Sequence, residues 1–189
     1  MDRKRDDQNI SLGQSEVKII IAGSGGQGIL LLGKILAQGL LEEDKNLTWL
    51  SSYGAEVRGG TCKCMVIGSD NEISSPYVII PDTLIVMNEP SYKKYTPFLR
   101  DNSIAFYNSG LVSKELLDQR LSNVAIDATG EARRLGNLKC ANMVMLGKFI
   151  NISSLIKLDT AIGVLDKVIK NKDILELDKQ ALNKGFNDE

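Results

Sequence analysis

The chain has 189 residues, with 23 lysines and arginines against 24 aspartates and glutamates, a formal net charge of −1, and no histidine. That length suits one compact domain with a sizeable core, and the near-zero charge gives no sign of nucleic acid or an anionic membrane surface as the main partner. Without histidine the chain lacks the commonest general base and metal ligand and every Ser–His or Cys–His nucleophile pair, so unaided chemistry would fall to carboxylates, lysine, tyrosine or a cofactor.

Residues 1–16, "MDRKRDDQNISLGQSE", are charged and carry no apolar core of a secretory signal; they are expected to be a mobile tail before a domain over residues 17–189. Val17 to Ala22 is a continuous apolar run with one lysine, the pattern of a strand buried on both faces. From Gly26 to Leu41, Ile29, Leu32, Gly33, Leu36, Ala37 and Leu40 recur at helical spacing. Asn46 to Leu50 reads as a second strand, so this stretch forms a βαβ unit. A polar, glycine-rich loop, "SSYGAEVRGG" (Ser51–Gly60), follows. "TCKCMVIGS" alternates like a strand, and "EISSPYVII" reads as strand then loop. "DTLIVMN" (Asp82–Asn88) is another buried strand, and Pro90 to Leu99 a short helix with proline in its first turn. "NSIAFYNS" (Asn102–Ser109) is a strand, "SKELLDQR" a short helix and "NVAIDA" (Asn123–Ala128) a strand. "TGEARRLG" starts a helix that Gly136 stops, and three more helices cover Ala141–Ile150, Thr160–Ile169 and Ile174–Leu182. No apolar run approaches the roughly 18 residues of a membrane-spanning helix. Strands alternating with helices predict a single Rossmann-like, three-layer α/β domain with a largely parallel sheet and helices on both faces.

The first strand ends in "GSGGQG", where Gly23, Gly25 and Gly28 fit G-x-G-x-x-G between a strand and a helix. Glycines permit a tight turn and close approach of a ligand or chain, and the new helix presents free N–H groups and its positive dipole end. Three readings remain open: a dinucleotide site, close helix–strand packing, or a site for an anion, coenzyme or partner chain. An NAD site is disfavoured, because the acid that would hold the ribose at the end of the second strand is absent from "TWLSSYG". Gly26 and Gln27 complete the turn; the Gln27 amide either reads a ligand or partner, or crosses the turn.

In the second loop, Glu56 and Arg58 are two apart and point the same way in extended backbone. They either pair with each other or leave Arg58 to grip an anionic group. Gly59 and Gly60 suggest close backbone approach or positive φ, and Tyr53 either packs or stacks on a flat ligand. The chain has three cysteines, an odd and low number that fits a reducing cytoplasm. Cys62 and Cys64 share one face of a predicted strand. With Cys140 they fall short of the four ligands that structural zinc or a [4Fe–4S] cluster normally takes, so buried thiols are expected.

Taken together, "GSGGQGILLLGKILAQG", Tyr53-Gly54-Ala55-Glu56-Val57-Arg58-Gly59-Gly60, and Ser69 and Ile73 before Pro76 resemble the γ subunit of the 2-oxoacid:ferredoxin oxidoreductases (the pyruvate, 2-ketoisovalerate and 2-oxoglutarate enzymes). The 2-oxoglutarate type looks nearest. The resemblance extends to "NMVMLGKFI" (Asn142–Ile150) and covers most of residues 17–185. It implies a subunit of an enzyme that oxidatively decarboxylates a 2-oxoacid, joins the acyl group to coenzyme A and passes electrons to ferredoxin. Thiamine diphosphate, Mg and iron–sulfur clusters would then lie on α, β and ferredoxin-like δ partners. This chain would bind none of them alone and would serve assembly and the positioning of coenzyme A, without a catalytic or metal-ligating residue of its own. A homodimer is open for the isolated chain. The two loops are expected to form one functional edge carrying Gly23, Gly25, Gly26, Gln27, Gly28, Tyr53, Glu56, Arg58, Gly59 and Gly60. The alternatives are a stand-alone nucleotide- or coenzyme-binding protein and a subunit of an indolepyruvate or branched-chain 2-oxoacid enzyme.

Overall fold

The structure, a computed structural model, describes residues 15–52 and 61–188. Six strands form one sheet: β1 (Glu16–Ser24), β2 (Asn46–Ser52), β3 (Thr61–Ser69), β4 (Thr83–Val86), β5 (Ile104–Asn108) and β6 (Ser122–Ile126), in the spatial order β2-β3-β1-β4-β5-β6. β1, β4, β5 and β6 pair in parallel. β3 lies antiparallel between β1 and β2. The expected βαβ unit therefore exists with a strand inserted in it: β1 and β2 run the same way but do not touch.

Six α-helices among the described residues cover the sheet. α1 (Ile29–Glu42), α3 (Ala128–Arg134), α4 (Ala141–Ser153), α5 (Leu158–Val168) and α6 (Lys172–Asn187) supply residues to one core, which takes Val17, Ile19 and Ile21 from β1. Ile20 and Ala22 point into a second core under α2 (Glu89–Tyr95). β1 is thus buried on both faces, as a continuous apolar run predicts. Phe106 of β5 meets Phe149 of α4 edge-on with ring centroids 5.2 Å apart, which fastens α4 to the sheet. α4 and α6 touch backbone to backbone: a Cβ on Gly147 would lie 2.0 Å from the Leu182 carbonyl oxygen, and one on Gly185 2.0 Å from that of Val144.

Most boundaries follow local chemistry. α1 starts at Ile29 rather than Gly26, because Gly26 and Gly28 hold φ of 87° and 70°, outside the helical region. α2 opens with the Asn88 Oδ1 accepting the Ser91 N–H at 3.0 Å and proline in its first turn. Two expectations do not hold. "EISSPYVII" forms no strand; it runs irregularly with Val78 buried, and Pro76 and Pro81 each remove a ladder donor. "SKELLDQR" gives only a 3-10 turn over Lys114–Leu116. There the Asp118 carboxylate accepts the Arg120 backbone N–H at 3.0 Å, and the Tyr92 hydroxyl accepts the Asp118 N–H at 3.0 Å. These side chains compete with helical bonding.

Candidate functional site: the glycine turn at the carboxyl edge of the sheet

The turn leaves the sheet at the end of β1, between β3 and β4. The crossover through α1 goes to one side of β1, while β3 leads to β4 on the other, so this is where the chain reverses its direction across the sheet and where open α/β sheets place ligands. The Gln27 N–H returns to the Ser24 carbonyl at 3.2 Å, closing a four-residue turn with Gly25 and Gly26 at its tip. Positive φ at Gly26 favours glycine there.

Each expected residue of this turn has a distinct place. Gly23 is buried, and a Cβ there would lie 2.6 Å from Ile29 and 2.7 Å from the Gln27 amide oxygen. The Gln27 Oε1 accepts the Ser24 N–H at 2.7 Å and its Nε2 donates to the Met87 carbonyl at 3.3 Å. Of the two uses read for Gln27, the structure shows it crossing the turn and fastening it to the end of β4. Gly28, the N-cap residue of α1, faces Asn142: a Cβ there would sit 2.2 Å from the Asn142 Nδ2. Gly25 and Gly26 differ from all of these. Both are exposed, and no described heavy atom lies within 4 Å of where their Cβ would be. The N-terminus of α1 behind them has no side-chain cap among the described residues and no acidic residue in its first turn, which suits its dipole end to a negative group.

The expected residues of the second loop, Tyr53, Glu56, Arg58, Gly59 and Gly60, lie outside the described residues. Their anchors are described. Ser52 ends β2 opposite Lys63, and Thr61 starts β3 opposite Ser24. Ser52 and Thr61, which flank that loop, therefore stand at the edge of the sheet that carries the glycine turn. Because β3 separates β1 from β2, Thr61 rather than Ser52 adjoins the turn.

Several residues at this edge escaped sequence reasoning. Asn88 donates to the Ser24 hydroxyl while it caps α2. Asn108, fully buried at the end of β5, donates to the Thr129 hydroxyl at 2.8 Å and accepts the Gly110 N–H at 3.3 Å. Lys63 places its ammonium 5.5 Å from the Tyr95 ring centroid, and the Thr61 and Tyr95 hydroxyls are 3.4 Å apart. Only Asn88 carried a local signal, an amide directly before a helix opening with Glu-Pro. The lining of the turn is thus backbone, amide and hydroxyl: groups that hold a shape and donate hydrogen bonds.

The three cysteines are free thiols, with Cys64 and Cys140 buried and Cys62 half-buried. Burial pushes the Cys64 thiol up to about 12 and raises Cys62 and Cys140 as well, which keeps them protonated and poorly nucleophilic near neutral pH. Cys64 donates to the Ile29 carbonyl at 3.6 Å, packing β3 against the start of α1. Among the described residues, no three histidine, cysteine, aspartate or glutamate side chains are grouped so as to hold a metal ion.

A Rossmann-like sheet with a preformed glycine turn at its switch point defines the class, and the comparisons define the family. The chain belongs to the pyruvate ferredoxin/flavodoxin oxidoreductase family, whose pattern matches residues 18–187. It is 38% identical over 132 residues to the ketoisovalerate oxidoreductase subunit VorA of Methanothermobacter thermautotrophicus, a match covering 70% of this chain and 27% of that protein. The chain therefore spans about a quarter (27%) of that relative's length. It is 32% identical over 173 residues to the 2-oxoglutarate synthase subunit KorC of Methanocaldococcus jannaschii, covering 89% of this chain and 91% of the relative. Among solved structures, the γ subunit of a keto/oxoacid ferredoxin oxidoreductase from Geobacter sulfurreducens superposes with a TM-score of 0.78 at 27% identity, covering 90% of this chain and 96% of that one. A 2-oxoglutarate:ferredoxin oxidoreductase from Magnetococcus marinus, with 2-oxoglutarate, coenzyme A and succinyl-CoA bound, shares the fold. There the TM-score is 0.79 at 21% identity, covering 91% of this chain and 30% of that one. The family and the fold class expected from the sequence are both borne out.

Proposed function

We propose that this chain is the γ subunit of a 2-oxoacid:ferredoxin oxidoreductase acting on 2-oxoglutarate, and that its glycine turn and the loop before β3 form one edge that docks against partner subunits and helps to position coenzyme A. Near end-to-end similarity to a 2-oxoglutarate synthase subunit supports the enzyme class and substrate. The observation that carries the role of the edge is Gly25, which is exposed, has no positive φ and meets no described atom where its Cβ would lie. Nothing among the described residues requires glycine there, which supports a close approach by a group outside them, in this reading a partner subunit or coenzyme A.

The residues fit coenzyme A as an anionic ligand. The end of α1, uncapped among the described residues, and the bare amides of the turn suit its phosphates. Decarboxylation and electron transfer fall to thiamine diphosphate with Mg and to iron–sulfur clusters on the α, β and δ partners, with ferredoxin as the electron acceptor. The contribution of this chain is shape: Gln27 and Asn88 hold the turn from within, and its outer surface stays open. Tyr77, Ile79, Ile80 and Phe98 are exposed, giving apolar surface of the sort a partner subunit covers. A cytoplasmic enzyme agrees with three unpaired thiols; no helix among the described residues is long and apolar enough to cross a membrane.

Reconstitution tests this reading. The chain purified from its source is expected to co-elute with thiamine- and cluster-containing subunits. Omitting it from the reassembled complex is expected to abolish coenzyme A-dependent ferredoxin reduction by 2-oxoglutarate. A chain that elutes alone and retains a nucleotide would overturn the reading in favour of a stand-alone nucleotide-binding protein.

A further inference from the structure

We propose that Asn142 is a positioning residue that fixes the conformation of the glycine turn from inside the molecule, an inference that rests on the turn being a functional edge. Asn142 lies in the first turn of α4 and is 2% exposed. Its Nδ2 donates to the Gly28 carbonyl at 3.2 Å, the same carbonyl that accepts the Leu32 N–H at 3.0 Å in the first bond of α1. One oxygen therefore joins the end of the turn, the start of α1 and the start of α4. The fit is close: the amide occupies the space a side chain at Gly28 would fill, and Gly28 keeps its left-handed φ of 70°.

Two features set this contact apart from ordinary core packing. First, the Asn142 Oδ1 is buried without a hydrogen-bond partner among the described residues. A buried acceptor left unpaired carries a free-energy cost that an alanine at the same place would avoid. Second, α4 is a stiff support. It meets α6 backbone to backbone at Gly147 and Gly185, and Phe149 ties it to Phe106 of the sheet. Asn142 therefore transmits the position of the most closely packed helix pair to the turn, while Gln27 fastens the other side of the turn to β4 through the Met87 carbonyl. Two amides from different elements thus hold a turn whose tip touches nothing described, which is how an exposed backbone surface is preorganised for a close neighbour.

The test uses Asn142→Ala in the full chain, free and in the reassembled complex. In the free chain, hydrogen exchange at residues 24–31 is expected to accelerate at least tenfold, with exchange in β4 and α6 unchanged. In the complex, the KM for coenzyme A or the dissociation constant for the partner subunits is expected to rise about tenfold while kcat at saturation is kept. Should Asn142→Ala fail to fold, Asn142→Ser, which retains a buried hydroxyl at smaller packing cost, is expected to give the same changes. Unchanged exchange in the turn, or a uniform loss of stability with KM and assembly unmoved, would overturn the proposal. Gly25→Leu separates the two levels. If it impairs the complex while Asn142→Ala does not, the positioning role alone fails; if neither does, the functional reading of the turn fails with it.

Discussion

Two pairs of glycines sit at opposite extremes of the molecule. Gly147 and Gly185 lie where α4 and α6 press backbone on backbone, each with a carbonyl oxygen 2.0 Å from the site of a missing Cβ. Gly25 and Gly26 sit at the tip of an exposed turn with no described atom within 4 Å of that site. The first pair is explained by the fold itself. For the second, the positive φ of Gly26 is a reason within the described residues, and they supply none for Gly25. On the proposed reading, a glycine that the described residues do not need for packing leaves room for an approaching neighbour, and it stands where α/β sheets place their ligands.

This contrast is open to test, beginning with the largest effect. Gly147→Val would drive a branched side chain into the Leu182 carbonyl and the Phe186 N–H. It is expected to destabilise the isolated chain by about 3 kcal/mol or more, read by chemical denaturation, since the obstacle is backbone and cannot swing aside. A smaller loss would mean that the helix pair is looser than the structure shows.

The packed side of the molecule also holds one misfit. Asp178 of α6 is buried, and desolvation pushes its carboxyl up to about 6. The folded chain thus holds the proton more tightly than the unfolded chain does. The resulting stability is fully present below the unfolded value near 3.8 and is lost as pH rises through about 6. Asp178→Asn is therefore expected to stabilise the chain by about 2 kcal/mol at pH 7.5 and to give no gain at pH 4. A pH-independent effect would contradict this account of Asp178.

The smallest effect concerns Gly163, another glycine with open space around its missing Cβ, but inside α5. Nothing in the structure explains glycine at this position. Gly163→Ala is expected to raise stability by about 0.5–1 kcal/mol through helix propensity alone, measured as an increase in Tm, and to leave the activity of the complex unchanged. Loss of activity there would show that open space around a glycine does not by itself single out the turn.

Much of the fold was legible in the residues. The run from Val17 to Ala22 and the spacing from Ile29 to Leu40 place β1 and α1 because burial on two faces and on one stripe leave different periods. The insertion of β3 between β1 and β2 was not legible, since a strand's own pattern says which of its faces are buried and not which strand it pairs with. The candidate site divides similarly. Glycines directly after a buried strand marked the turn, and the Gln27 amide was read as either crossing it or reaching outward; the structure shows the crossing. The contact between Asn142 and Gly28 spans 114 residues, and no local spacing encodes it.

The most direct measurement is of Gly25→Leu, made both in the isolated chain and in the reassembled complex. The added side chain enters space that no described atom fills, at a residue without positive φ, so the Tm of the isolated chain is expected to stay within about 2 °C, corresponding to less than about 0.8 kcal/mol. In the complex, coenzyme A-dependent ferredoxin reduction or subunit association is expected to fall at least tenfold. Full activity with unaltered assembly in a well-folded variant would contradict the claim that the turn meets a neighbour from outside the chain.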